Sequence, residues 1–226
     1  MARHVQILLR KIDEGVASVE AQYKRSLEAK TLSDDLIYDV GRVIQDCQLA
    51  LDWTATAVKN RFASGRDPYF PLVARPEEFD PELDKQITGL RTKRPDVAKA
   101  FERHQPYQPG SEVLGHLRKL SRVNKHQDFT PQTRTERLRT RVNVHGVGVA
   151  EWDTQSVKFA PGVSILGAPI DPATQRPIPH PAVAVAVVRY IDWWFVDPRV
   201  PVLPTLQSLA RSVREAVVDI GATAGL

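Results

Sequence analysis

The chain has 226 residues, 42% hydrophobic and 26% charged, with 12 Gly, 17 Pro and no low-complexity tract, a composition that excludes disordered and fibrous classes. Its 31 basic and 27 acidic residues leave a formal charge of +4, too mild by itself to imply a nucleic-acid partner. One cysteine, Cys47, excludes an internal disulfide and a thiolate-rich zinc site, and no run approaches the roughly 18 apolar residues of a membrane span.

These bounds lead to the expectation of a soluble, cytoplasmic protein in a reducing compartment, able to bury roughly 70% of the surface of its unfolded chain. Near the N-terminus Arg10, Lys11, Asp13 and Glu14 break up the stretch in which a secretory leader needs an apolar core. Neither metal nor cofactor is expected, because the histidines at 4, 104, 116, 126, 145 and 180 include no His-x3-His pair. Phosphate-binding glycine loops and a G-x-S-x-G elbow are absent too.

In chain order, Val5, Leu8, Leu9, Ile12, Val16, Val19, Tyr23 and Leu27 recur at steps of three and four, which predicts a helix over 3–29. Ser33 is placed to cap a second helix, whose stripe runs through Leu36, Val40, Val43, Cys47, Leu51, Ala55 and Phe62. A short turn between them predicts an antiparallel hairpin. Prolines at 68, 71, 76 and 81 then exclude continuous helix, and Tyr69, Phe70, Leu72 and Phe79 anchor an extended strap. Asp80-Pro81 predicts a short helix stopping near Gly89, Pro95 opens another, and Ser111-Glu112 opens the last of this half, with Leu114, Leu117 and Leu120 inward.

The segment 128–135 is polar and contains Pro131, and the main boundary is expected there. Beyond it the period becomes two. Leu138, Thr140, Val142 and Val144 alternate with polar residues, and the phase slips at His145-Gly146, as at a bulge or tight bend. Short strands are expected at 156–159 and 163–166, a proline-rich loop at 169–181, and the strongest strand at 182–191. Leu206, Leu209, Val213, Val217 and Ile220 define a C-terminal helix stopped by Gly221. The expected fold class is therefore α+β: a helical region over 1–128 built on the long hairpin, and a strand-rich region over 136–226 whose small antiparallel sheet is packed by the C-terminal helix. One core shared by the two regions is the alternative the same pattern allows.

Three groups of residues could carry function. Between His116 and His145 the basic residues Arg118, Lys119, Arg122, Lys125, Arg134, Arg137, Arg139 and Arg141 face only Asp128 and Glu136, a local excess that could neutralise the phosphates of RNA or DNA. A solvated helix face running into a charge-guarded edge strand explains the same pattern. Asn124, Lys125 and His126 bring together the side-chain types that orient a substrate and move a proton, although cations at a helix C-terminus also serve as ordinary caps. Trp193 and Trp194 head an aromatic cluster with Phe195, suited to packing under the last helix or to contact with a protein partner or a second copy of the chain.

Cys47-Gln48-Leu49-Ala50-Leu51-Asp52-Trp53, Phe70-Pro71, Gln105-Pro106-Tyr107 and the leucine helix ending in Asn124-Lys125-His126 together resemble, in the same order, a widespread group of uncharacterised bacterial proteins. Its landmarks read Leu-Arg-Ser-Ala-Leu-Asp-His, Phe-Pro, Gln-Pro-Tyr and Asp-Lys-His-Arg. The resemblance spans about residues 36–128 and implies an architecture rather than a reaction. Its Arg-x4-His spacing is similar to the ribonuclease motif of HEPN domains in toxin and defence systems. Gln48 and Trp53 occupy the matching positions here, so the resemblance implies a copy inactive by that mechanism. The expectation is a non-enzymatic binding protein contacting nucleic acid through its basic stretch, with a HEPN-like ribonuclease or other hydrolase as the alternative.

Overall fold

Two helices of 27 and 29 residues open the chain, α1 over Arg3–Ala29 and α2 over Asp34–Phe62. The computed structural model describes residues 3–126, 132–153 and 157–226; the side chains at 123–126, 136–139, 153 and 187–191 lie outside that description. The Ser33 hydroxyl accepts from Leu36 N at 3.2 Å and starts α2 as its sequence predicts. The helices run antiparallel, with His4 against Trp53 near the open end and Ser18 donating to Asp39 further toward the turn. Gly15 sets their close approach, since a Cβ there would stand 2.6 Å from Val43 Cγ2.

The remaining helices are α3 (Phe79–Gln86), entered through a 3-10 turn at Pro76–Glu78, α4 (Leu90–Lys93), α5 (Pro95–Arg103) and α6 (Val113–His126), followed after the strands by α7 (Val202–Ala224). Two compact units account for the chain: Met1–Thr133 with Trp193–Leu226, and Arg134–Asp192. In the first, α7 packs on α1, α2, α5 and α6. Val43, Ile44, Leu51, Phe101, Leu117 and Leu206 are fully buried in one continuous core, where apolar burial contributes roughly 25 cal/mol per Å².

The division differs from a boundary near 128. The C-terminal helix joins the helical unit, because its stripe of Leu206, Leu209, Val213 and Val217 closes the core that α1 and α2 leave open. Residues Trp193–Phe195, the end of the last strand, pass into that same core. Gly221 does not stop α7. The helix continues to Ala224 and ends at Gly225, whose φ of 67° suits glycine, with Leu226 N donating to Gly221 O.

The second unit holds two three-stranded arrangements, β2–β1–β6 and β3–β4–β5. Strand β1 spans Gln132–Val144, beginning six residues before the predicted alternation, and β2 spans Gly148–Asp153. They pair antiparallel from Arg139↔Asp153 to Val144↔Gly148. The phase slip at His145-Gly146 is thus the turn of a hairpin, with Gly146 at φ 77°. The strand expected at 156–159 is not formed at 157–159, and residue 156 lies outside the described residues. Short strands β3 (Ser164–Ile165), β4 (Ala168–Asp171) and β5 (Arg176–Pro177) pair antiparallel in sequence, two of them inside the predicted proline loop, before β6 (Val183–Phe195). Val142, Val144, Trp152, Ala168 and Ile170 form this unit's own core.

Candidate functional site

The segment between α2 and the 3-10 turn is an extended strap in which Pro68, Phe70, Pro71, Leu72 and Val73 are buried and Tyr69 turns outward. Tyr69 is 64% exposed while Phe70 is buried against Phe101, ring centroids 5.1 Å apart. Among the described residues no strand pairs its amides, and side chains fasten its backbone instead. Asp52 Oδ1 accepts from Phe70 N at 2.8 Å and from Gln48 Nε2 at 2.9 Å. Fully buried Gln105 accepts from Val73 N at 3.0 Å through Oε1 and donates through Nε2 to Phe101 O. Gln86 Oε1 accepts from Tyr69 N, and Arg118 donates to Leu72 O, each at 3.0 Å. Gln48, Asp52, Phe70 and Gln105 therefore belong to a strap-fastening network, and each has a structural task.

Beside the strap lies a cleft of about 360 Å³ between α2, α3 and α6. Tyr69, Phe70 and Leu72 form its strap wall, Glu82, Lys85 and Gln86 come from α3, Arg118, Ser121 and Arg122 from α6, and Gln48 from α2. Three cations against one carboxylate give the lining a charge of +2. Burial alone would raise the pKa of Glu82. Hydrogen bonds from Gln86 at 2.8 Å and Lys85 at 3.1 Å, with the positive charges of Lys85 and Arg118, instead hold it below the ordinary carboxylate value. The cleft thus keeps an ionised acceptor beside its cations. A neighbouring depression shares Glu82, Lys85 and Arg118 but adds Glu77 and Glu78, so positive potential is greatest on the α6 side, toward Arg122.

The structure distributes the sequence candidates unevenly. Arg118, Lys119 and Arg122 lie exposed on α6 in the first unit, and Lys119 meets Asp197 at 3.4 Å on the surface. Arg141 belongs to the second unit, exposed and 3.5 Å from Glu151, its partner across β1–β2. Arg137 and Arg139 sit on β1 with side chains outside the described residues, as do Asn124, Lys125 and His126 at the end of α6. The contiguous basic stretch is thereby divided between two units.

Trp193 is only 6% exposed, and its indole Nε1 donates to Ser26 Oγ at 2.9 Å while its backbone N donates to Tyr23 OH at 3.0 Å. That burial makes it a core residue rather than a contact surface. Trp194 is half-buried and bridges to Pro201 through its backbone. Cys47 is fully buried, and desolvation pushes its thiol far above the ordinary range, which leaves it unreactive.

Sequence reasoning missed Tyr69 and Lys85 as neighbours of the α6 basic residues. Tyr69, expected as an apolar anchor of the strap, instead faces solvent, and its sequence carried no signal of the cleft. Lys85 carried none, since only the packing of α3 beside the strap brings it to the cleft. Among the described residues no three His, Cys, Asp or Glu side chains converge as metal ligands, and no helix is long and apolar enough to cross a membrane. No protein-family model, curated protein or solved structure matches the chain.

Proposed function

We propose that this protein is a non-enzymatic binding protein that contacts nucleic acid through phosphates seated on the α6 side of the cleft. The observation that carries the reading is the convergence of Lys85, Arg118 and Arg122 from two helices on one concave surface with a single opposing carboxylate. Arg122 is exposed, and among the described residues Arg118 gives one hydrogen bond, to Leu72 O, from its five guanidinium donors. Both remain able to replace the counterions of a phosphodiester chain.

The residues at the positions of the HEPN pair are consistent with a role that does not use that ribonuclease mechanism. At the positions of the HEPN pair, Gln48 is bonded to Asp52 and Trp53 rests on His4 with ring centroids 5.6 Å apart. Neither an amide nor an indole serves as a general base at neutral pH.

The test is fluorescence anisotropy with labelled RNA and DNA between about 50 and 200 mM salt, with the products run on a gel. Three phosphate contacts imply a loss of roughly 20-fold for a single strand and 40-fold for a duplex across that range. Salt-independent or absent binding overturns the proposal. Cleavage that disappears in His126→Ala overturns its non-enzymatic half and gives the site to Asn124, Lys125 and His126.

A further inference from the structure

We infer that the cleft takes one unstacked nucleotide of a single strand, its base laid on the Tyr69 ring and its phosphate against Arg122. The inference rests on the phosphate-binding reading and adds to it a choice of strand and a contact to the base.

An exposed tyrosine beside three cations is the pairing that single-strand binders use, because every base has a π-face and every linkage a charge. Tyr69 is well prepared for that task. Its own amide is bonded to Gln86 and the next amide to Asp52, with Phe70 wedged inward between them. The platform is thus fixed at its backbone before anything binds, and little ordering entropy remains to oppose stacking. A duplex keeps its base faces inside the helix, whereas unpaired bases can be splayed onto an aromatic ring. A recess of about 360 Å³ is the scale of one nucleotide and much smaller than a duplex.

Charge sets the direction. Glu77 and Glu78 lie on the α3 side next to Glu82, while Arg122 lies on the α6 side. A phosphate is repelled from the first and held at the second, which leaves the base edge toward Glu82, Gln48 and Ser121. Glu82 only accepts, so it favours an edge carrying N–H donors, such as the amino groups of guanine, adenine or cytosine, over the carbonyl-rich edge of uracil or thymine.

The experiment uses the full chain and a labelled 12-nucleotide strand in ribo and deoxyribo form, each also annealed to its complement, at about 50 mM salt. Both single strands should bind at least tenfold more tightly than their duplexes. Tyr69→Ala should weaken single-strand binding by about 5- to 150-fold, the loss of one base–aromatic stack, with the salt slope unchanged. Tyr69→Phe should stay within about twofold of the parent. Arg122→Ala should reduce the single-strand salt slope by about 0.7, one phosphate contact. Equal binding of strand and duplex, or no effect of Tyr69→Ala, overturns this inference while the phosphate reading stands. No salt-dependent binding to any of the four probes overturns both. Thermal melting of each variant is measured beside the parent, and variants that melt with the parent give the valid comparison.

Discussion

Removing one oxygen, by Tyr23→Phe, tests how the chain's distant segments are held. Tyr23 on α1 is 6% exposed, and its hydroxyl accepts from the backbone N–H of Trp193, 170 residues away, at 3.0 Å. The substitution keeps the ring and its packing but strands that N–H in a dry environment, which costs about 1–3 kcal/mol. Taking the middle of that range, about 2 kcal/mol, the melting temperature should fall by roughly 4–8 °C for a chain of this size. Urea unfolding should show a lower midpoint with an unchanged m-value, because the surface exposed on unfolding is the same. Ser26→Ala removes the acceptor of the Trp193 indole, and the double variant should be less destabilised than the sum of the two, since one holds the backbone and the other the side chain of the same residue. A Tyr23→Phe loss within about 0.5 kcal/mol would refute the reasoning, for it would mean that Trp193 N–H finds another acceptor. Such a loss is the size of an ordinary surface substitution.

Asp52→Ala should free the Phe70 amide and loosen the strap, costing about 1.5–3 kcal/mol for a hydrogen bond to a charged acceptor; faster limited proteolysis within 63–75 would report it, and Asp52→Asn, which keeps an oxygen acceptor, should restore most of the protection. Gly15→Ala should destabilise despite roughly 1 kcal/mol of better helix propensity, because its Cβ meets fully buried Val43 at 2.6 Å and overpacking costs about 1–3 kcal/mol; chemical denaturation measures the balance. Asp219 should contribute to acid lability. Burial alone would raise its pKa, but hydrogen bonds from Arg103 at 2.8 Å and His104 at 2.9 Å, with the Arg103 charge, hold it below the ordinary aspartate value. Its stabilisation is therefore complete above the unfolded pKa near about 3.9 and is lost as pH falls through the lower folded value; Asp219→Asn should flatten that part of a stability–pH curve. His116, whose pKa is lowered by burial and then by Lys119, should cost stability as pH drops from its unfolded value, about 6.5, toward its folded one, and His116→Gln should remove that slope.

The sequence alone determined the local elements of this protein. Periodicity of three and four, the Ser33 cap and the prolines at 68, 71 and 76 specify the hairpin and the strap from interactions within a few residues, and the alternation at 138–144 specifies a strand in the same way. The work of Asp52 and Gln105, accepting from the strap amides of Phe70 and Val73, depends on partners 18 and 32 residues away. Tertiary structure decided three further matters. It assigned α7 to the helical unit, because an amphipathic stripe does not name the surface that will cover it. It buried Trp193 rather than exposing it, because an aromatic cluster looks the same in sequence whether it packs or binds. It divided the basic stretch between two units while bringing Tyr69 and Lys85 to Arg118 and Arg122. Charge adjacent along a chain is a different quantity from charge adjacent in space, and only the second makes a site.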